Sequence, residues 1–174
     1  MPQHIVVVEY RPEWKQMYDI ESSAINQILG IELVEIYHIG STSVTGLKAK
    51  PIIDIMAVVK DITSVDRLNS EFEKIGYECM GELGIPGRRY FRKGGDNRTH
   101  QVHIFEESNE KDIERHLAVR DYLRAHDDVA KKYGELKSRL ALLFPYDIDG
   151  YSDGKEDYVK HMEIEALSWY CKKK

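Results

Sequence analysis

The sequence has little of what stabilises very small or membrane-bound proteins. Its 174 residues include only two cysteines, Cys79 and Cys171, without CxxC spacing, which argues against a disulfide scaffold and a cysteine zinc site. No stretch approaches the ~20 apolar residues of a membrane-spanning helix. The apolar run at residues 5–8 lacks the cleavage-site pattern of a signal peptide. We therefore expect a reduced, cytoplasmic globular protein without membrane contact.

The sequence also lacks an excess of positive charge. Its 25 Lys and Arg residues are outnumbered by 30 Asp and Glu residues, so the net charge is −5. Such a chain is poorly suited to non-specific binding of duplex nucleic acid or an anionic membrane. It contains no Walker P-loop, which disfavours a classical P-loop kinase, and neither a GxSxG nor an HExxH motif.

Hydrophobic patterning predicts a sheet in the first two thirds of the chain. Strands are predicted at residues 33–39, 51–59, 77–80, 89–93 and 101–105, with residues 5–8 as a strand or an extended lead-in. The spacing of apolar residues predicts a helix from about Pro12 to Leu29. A second helix follows Ser64, a candidate N-cap, and ends before Gly76.

The last third has a helical pattern. We predict one helix from about Lys111, a second that ends before Pro145, a loop over residues 147–154 and a final helix. The fold class is therefore α+β. We expect one domain, residues 1–174, with a sheet-bearing core (1–108) and a helical portion (109–174) packed on it.

The strongest chemical pattern is Gly40-Ser41 after a predicted strand, then twelve residues, then Asp54 within the next strand. Phosphate binding favours glycine and a small hydroxyl in a turn, because backbone N–H groups can then approach the anion. Magnesium chemistry favours a rigid carboxylate. A carboxylate in an apolar strand is costly unless it is paired or bound to a metal. Alternatively, Asp54 pairs with Lys50, Arg88 or Arg89.

Residues 38–59, HIGSTSVTGLKAKPIIDIMAVV, resemble the signature of the GrpB family. Residues 87–93 (GRRYFRK), 100–105 (HQVHIF) and the helical stretch 120–139 resemble its later blocks. The family is grouped with the polymerase-beta-like nucleotidyltransferase superfamily. The resemblance implies a mixed-sheet nucleotidyltransferase core flanked by helices, with a nucleoside triphosphate and Mg²⁺ as substrate and cofactor.

The resemblance also implies roles for individual residues. Gly40 and Ser41 match the motif that positions the triphosphate, and Asp54 matches the first metal-binding carboxylate. Met56 occupies the position of the second carboxylate. The strand expected to carry the third carboxylate offers His100 and His103 instead. Two Mg²⁺ ions ~3.5–4 Å apart need several shared oxygens. Three alternatives stay open: ligands from Glu35, His103 or Glu106; a different metal chemistry; or nucleotide binding without transfer.

Several basic and aromatic residues are further candidates. Strand alternation places Arg88 and Arg89 on opposite faces, and His100 and His103 likewise, so we expect only one of each pair at a site. Guanidinium groups suit triphosphates, although the same cluster could simply protect a strand edge. Tyr133 and Lys137 are one helical turn apart. They could stack a base and reach a phosphate, or Tyr133 could pack in the core.

These observations give two hypotheses. The first is a Mg²⁺-dependent nucleotidyltransferase that moves a nucleotidyl group to an unknown small acceptor. The second is a non-catalytic module that binds a nucleotide or phosphometabolite. The predicted catalytic residues are Asp54, Arg89 and His103, with Asp54 as metal ligand, and the predicted nucleotide-binding residues are Gly40, Ser41, Lys50, Arg88, Tyr133 and Lys137.

Overall fold

A computed structural model describes residues 3–173, so Met1, Pro2 and Lys174 of the predicted domain lie outside the described residues. The strands are β1 (Leu33–Ile39), β2 (Ile53–Val59), β3 (Tyr77–Cys79), β4 (Arg89–Lys93) and β5 (His100–Glu106). The helices are α1 (Glu13–Leu29), α2 (Ile62–Val65), α3 (Asn69–Lys74), α4 (Glu110–Ala125), α5 (Asp127–Leu143) and α6 (Ile148–Lys173). The predicted α+β class is confirmed.

The five strands form one mixed sheet in the order β1-β2-β5-β4-β3. The central pair, β2 and β5, is parallel, and the other pairs are antiparallel. Strand β2 is almost entirely apolar because both faces of the sheet are covered there. Residues 5–8 form an extended lead-in, of which Val8 makes an isolated bridge to Ala49.

The two faces of the sheet carry different partners. On one face, alternate residues of β2, β4 and β5 pack against α1, α2 and α3 in the main apolar core. Phe72 of α3 stacks on Phe91 of β4 with ring centroids 4.2 Å apart. On the other face, Met56 and Phe105 contact Leu117 of α4. Since strand residues alternate between faces, Asp54 lies on the same side as Met56, toward the helical portion.

Helices α4, α5 and α6 share a second core with Val44 and Leu47, which follow the Gly-Ser turn. Gly134 of α5 allows a close approach to the segment after the turn, because a Cβ atom there would lie 3.3 Å from the Cβ atom of Lys48. This packing fixes α5 above the turn and so determines which of its side chains can reach it.

The structure corrects two predicted boundaries. Asp61, not Ser64, caps α2: its carboxylate accepts a hydrogen bond from the Thr63 backbone N–H at 3.0 Å. The predicted loop at 147–154 is wrong, because α6 begins at Ile148. Gly150 and Gly154 lie inside α6, where a Cβ atom would collide with Phe144 and Leu140. These glycines permit close helix packing, whereas the sequence pattern suggested a turn.

Candidate phosphate-binding site

The Gly-Ser turn connects directly to Asp54. Ile39, the last residue of β1, pairs with Asp54 across the sheet. Gly40 then adopts a φ of +73°, which favours glycine. A Cβ atom at this position would also lie only 2.7 Å from Asp54 Oδ2. Gly40 therefore has two steric requirements, a left-handed backbone and contact with a carboxylate.

Hydrogen bonds hold the turn in place. Thr42 Oγ1 lies 2.9 Å from His38 Nε2, and both residues are buried. Burial lowers the pKa of His38 to about 4, so the ring is neutral near neutral pH. The guanidinium of Arg124 donates to the Ser43 carbonyl oxygen at 2.9 and 3.1 Å. The turn is thus anchored to both β1 and α4.

A cavity of about 180 Å³ lies beside this turn, between the sheet and helices α5 and α6. Five residues predicted for the site line it: Ser41, Lys50, Asp54, Tyr133 and Lys137. Among the lining residues that the sequence analysis missed are Gln101, Tyr151 and Lys155. We call Lys50, Lys137 and Lys155 the lysine group, and this cavity the lysine cavity.

Lys137 is the most deeply buried cation of the cavity. Only 3% of its surface is exposed, and its Nζ atom donates a hydrogen bond of 2.7 Å to Ser41 Oγ. Burial lowers the pKa of Lys137 well below its ordinary value of 10.5, and Lys155 and Lys50 lower it further. The ammonium group of Lys137 is therefore held at a position where the protein compensates its charge poorly.

The other two lysines share one aromatic ring. Lys50 Nζ and Lys155 Nζ lie 5.1 and 5.3 Å from the ring centroid of Tyr151. Burial lowers the pKa of both ammonium groups, and Lys50 lowers that of Lys155 further. The ring supplies only a weak attraction, and Asp54 acts against burial by raising the pKa of both lysines.

Asp54 is the only acidic residue that lines the lysine cavity within residues 3–173. Its Oδ1 atom lies 3.3 Å from His103 Nε2. The buried hydroxyl of Tyr151 has no hydrogen-bond partner in the described part of the chain. Three cations, one carboxylate and an unpaired hydroxyl suit a bound anion, since buried polar groups normally have partners.

Four predicted site residues lie outside the lining of the lysine cavity: Gly40, His103, Arg88 and Arg89. Gly40 forms the turn, and His103 contacts Asp54 from β5. Arg88 Nη1 lies 3.5 Å from His103 Nδ1, while its Nε atom donates to the Glu82 carbonyl oxygen. Arg88 therefore stands behind the histidine and does not reach the cavity.

Arg89 points to the opposite face of the sheet, as strand alternation predicts for one of the two arginines. Its Nε atom lies 2.7 Å from Asp66 Oδ1, and its Nη1 atom lies 3.8 Å from Glu82. These carboxylates hold the guanidinium away from the lysine cavity. The structure therefore does not bring Arg89 together with Asp54 and His103, and we assign it no role there.

Tyr133 lines the cavity but offers little surface to a base. Its residue is 7% exposed, and its ring stacks on Tyr158 with centroids 5.7 Å apart. Lys137 Nζ lies 4.4 Å from the same ring. Burial raises the pKa of Tyr133 to about 12, so its hydroxyl stays protonated and can donate to an anion.

The residues present do not fit a two-magnesium centre. No three His, Cys, Asp or Glu side chains are grouped to hold a metal ion anywhere in residues 3–173. Met56 is fully buried in the second carboxylate position. Glu106 accepts hydrogen bonds from the Ile62 backbone and Ser108, and Glu35 pairs with Val58, four residues along β2 from Asp54.

A larger cleft of about 680 Å³ lies on the other side of the turn. Its cations, Lys15 and Arg124, share it with two carboxylates, Asp19 and Asp127. This balance of charge gives no preference for an anion. We therefore place the candidate site in the smaller cavity, where the charges are unbalanced.

The model of the GrpB protein family matches residues 4–165. The chain belongs to the GrpB family. It is 43% identical to the UPF0157 protein YqkA of Bacillus subtilis over 95% of this chain, but the match spans only 48% of YqkA. It is 34% identical to the glutamate-rich protein GrpB of Alkalihalophilus pseudofirmus, covering 89% of this chain and 91% of that protein.

Solved structures agree with this assignment. A conserved GrpB protein from Enterococcus faecalis shares 49% identity and a TM-score of 0.93, covering 95% of this chain and 99% of the other. The Cid1 poly(U) polymerase, in a structure with MgGTP bound, shares 16% identity and a TM-score of 0.50 over 77% of this chain and 45% of its own. The second likeness shows that this GrpB protein has a nucleotidyltransferase-like fold.

No helix within residues 3–173 is long and apolar enough to cross a membrane.

Proposed function

We propose that this GrpB protein binds the phosphate chain of a nucleoside triphosphate in the lysine cavity and that this binding needs no metal ion. The observation that carries the proposal is the convergence of three partly or fully buried lysines on a cavity with one carboxylate. A lysine group of this kind can neutralise the charge that Mg²⁺ balances in other phosphate sites.

The electrostatic cost of the free cavity supports this proposal. Burying three ammonium groups beside a single carboxylate is unfavourable, and burial lowers the pKa values of all three lysines even though Asp54 raises those of Lys50 and Lys155. A phosphate oxygen would accept charge-assisted hydrogen bonds, which are stronger than neutral ones. Binding would therefore raise the three pKa values, and the affinity for phosphate falls as the pH rises and the lysines lose protons.

The size of the cavity favours the phosphate chain over a whole nucleotide. At roughly 30 Å³ for each water molecule, its volume of about 180 Å³ equals that of about six waters. Complete small-molecule pockets usually measure about 300–1,000 Å³. The rest of a nucleotide must then lie outside the lysine cavity.

Isothermal titration calorimetry with ATP, GTP, CTP and UTP, in EDTA and in Mg²⁺, tests this function. We expect at least one triphosphate to bind in EDTA, and Lys155→Met to weaken that binding roughly tenfold. Lys160→Met is the matched control, because Lys160 lies on the same helix but is exposed and pairs with Glu156. Binding that requires Mg²⁺, or equal losses in the two variants, would contradict the proposal.

Nucleotidyl transfer is the second candidate. It is favoured by Asp54, which lies on the cavity wall beside the Gly-Ser turn. Among the described lining residues, Asp54 is the only carboxylate on which nucleotidyl transfer could depend. Its test is pyrophosphate release from nucleoside triphosphates with Mg²⁺ and a broad panel of small acceptors. Release that disappears in Asp54→Asn would support an enzyme, whereas binding without release favours the binding module.

A further inference from the structure

A second cavity adjoins the lysine cavity. It measures about 480 Å³ and lies between residues 3–6, which include the start of the lead-in, residues 97–99 before β5 and the start of α6. Lys50 and Ile52 line both cavities. A ligand with its phosphates at the lysine group can therefore extend past Lys50 into this second space. We call it the lead-in groove.

The wall of the lead-in groove is aromatic and aliphatic. Tyr146 is 60% exposed and stacks on His4 with ring centroids 4.9 Å apart. Ile148 is 52% exposed and Val6 is 43% exposed. An exposed face of this kind is suited to a flat ring, since aromatic side chains stack on nucleobases irrespective of base identity.

Arg98 supplies the polar contact. Its Nε atom is buried and has no hydrogen-bond partner among residues 3–173, and the residue lines the groove. An unpaired buried donor is costly. A carbonyl oxygen or ring nitrogen of a nucleobase would accept this bond. A residue with an unpaired buried polar atom thus lines each of the two adjoining cavities, Tyr151 the one and Arg98 the other.

We infer that the lead-in groove holds the nucleobase of the ligand whose phosphates occupy the lysine cavity, an inference that rests on the proposed function. Tyr146 stacks on the base, Arg98 donates a hydrogen bond to it, and Lys50 stands between base and phosphates. The volume of the groove lies within the usual range for such pockets, about 300–1,000 Å³.

The test compares three ligands in EDTA: inorganic tripolyphosphate, ribose 5-triphosphate and the best-binding nucleoside triphosphate. We expect the nucleotide to bind roughly tenfold more tightly than ribose 5-triphosphate, and Tyr146→Ala to remove most of that difference. Tripolyphosphate should bind wild type and Tyr146→Ala equally. Arg98→Gln should lower nucleotide affinity and leave tripolyphosphate affinity within about twofold.

A matched pair of substitutions checks that the groove itself is responsible. Ile148→Glu adds a charge at the groove, whereas Ile164→Glu adds one at a position of the same helix that is also exposed, 67% against 52%. We expect only Ile148→Glu to lower the affinity for the nucleotide, and more than it lowers the affinity for tripolyphosphate.

The ligands also separate the two ideas. If tripolyphosphate binds through the lysine group but the nucleotide binds no better than ribose 5-triphosphate, only the inference about the groove is wrong. A nucleotide preference that survives Tyr146→Ala and Ile148→Glu would also overturn it. If tripolyphosphate does not bind at all, the proposed function and the inference both fail.

Discussion

Two groups of cations in this molecule differ in how their charges are balanced. Each cation on β4 has its own carboxylate: Arg89 pairs with Asp66, Arg92 with Glu78 and Lys93 with Glu21. The lysine group, in contrast, surrounds one cavity in which Asp54 is the only acidic lining residue among the described residues. The β4 cations form salt bridges that join elements of the fold, whereas within residues 3–173 no member of the lysine group forms a salt bridge.

This difference matters more than the number of positive charges. The β4 group is conspicuous in the sequence because its members lie within one short strand, yet its charges are used within the protein. The lysine group comes from three distant parts of the chain and is visible only after folding. A buried cation without a counter-ion costs stability, and functional sites commonly retain such costs.

The largest expected effect is on anion binding. Lys137→Met should weaken tripolyphosphate binding roughly 10- to 100-fold, because a charge-assisted hydrogen bond is worth about 1.5–3 kcal/mol. Arg92→Met removes the same charge from the paired group and should change the affinity less than about twofold. Calorimetry measures both. Similar losses in the two variants would mean that only net charge matters.

The next effect concerns Asp54. In EDTA, Asp54→Asn should bind tripolyphosphate roughly three- to tenfold more tightly, because a negative charge that repels the anion is removed from the cavity. Asp157→Asn, at an exposed site on α6, is the control. If Asp54→Asn instead abolishes binding and wild type binds only with Mg²⁺, Asp54 is a metal ligand and the metal-independent proposal is wrong.

A smaller effect is expected on stability. Lys137→Met should raise the free energy of unfolding of the ligand-free protein by about 1 kcal/mol near neutral pH, which raises Tm by about 2–4 °C. At pH values below its lowered pKa, the buried lysine destabilises the folded protein by the full amount. This penalty disappears as the pH approaches 10.5, the ordinary pKa of lysine.

The stability difference between Lys137→Met and wild type should therefore shrink as the pH rises toward 10.5, the ordinary pKa of lysine. Thermal unfolding followed by circular dichroism at several pH values measures it. A variant that is less stable than wild type at every pH would show that Lys137 supports the free fold, as the paired cations do.

The smallest effect belongs to the paired group. Arg89→Met should lower the free energy of unfolding by at most about 1 kcal/mol, because Asp66 and Glu82 are both half exposed and solvent screens the pairs. Tripolyphosphate affinity should stay the same. Chemical denaturation and calorimetry check the two parts. A clear loss of affinity would return Arg89 to the binding site.

Much of the fold could be predicted from local patterns. The strand at 33–39, the buried strand containing Asp54 and the helix ending at Leu29 all have strong periodicity or clear end signals. The start of α6 could not be predicted, because Gly150 and Gly154 resemble loop residues until their contacts with Phe144 and Leu140 are known.

The site was only partly predictable. Gly40, Ser41 and Asp54 are close in sequence, and Lys137 follows Tyr133 by one turn. Lys155 follows Tyr151 by the same spacing, a signal that was hidden because this segment resembled a loop. Which charges have partners depends on long-range packing, so the sequence favoured Arg89 over Lys155 as a cation of the site.

The most direct test observes the lysines themselves. NMR spectra of lysine side-chain Cε groups, recorded during titration with tripolyphosphate in EDTA, report the environment of each ammonium group. We predict large shifts for Lys50, Lys137 and Lys155, with pKa values that rise on binding, and little change for Lys74 and Lys160. If the ligand binds and these three signals do not move while others do, the phosphate site is elsewhere and the central claim is wrong.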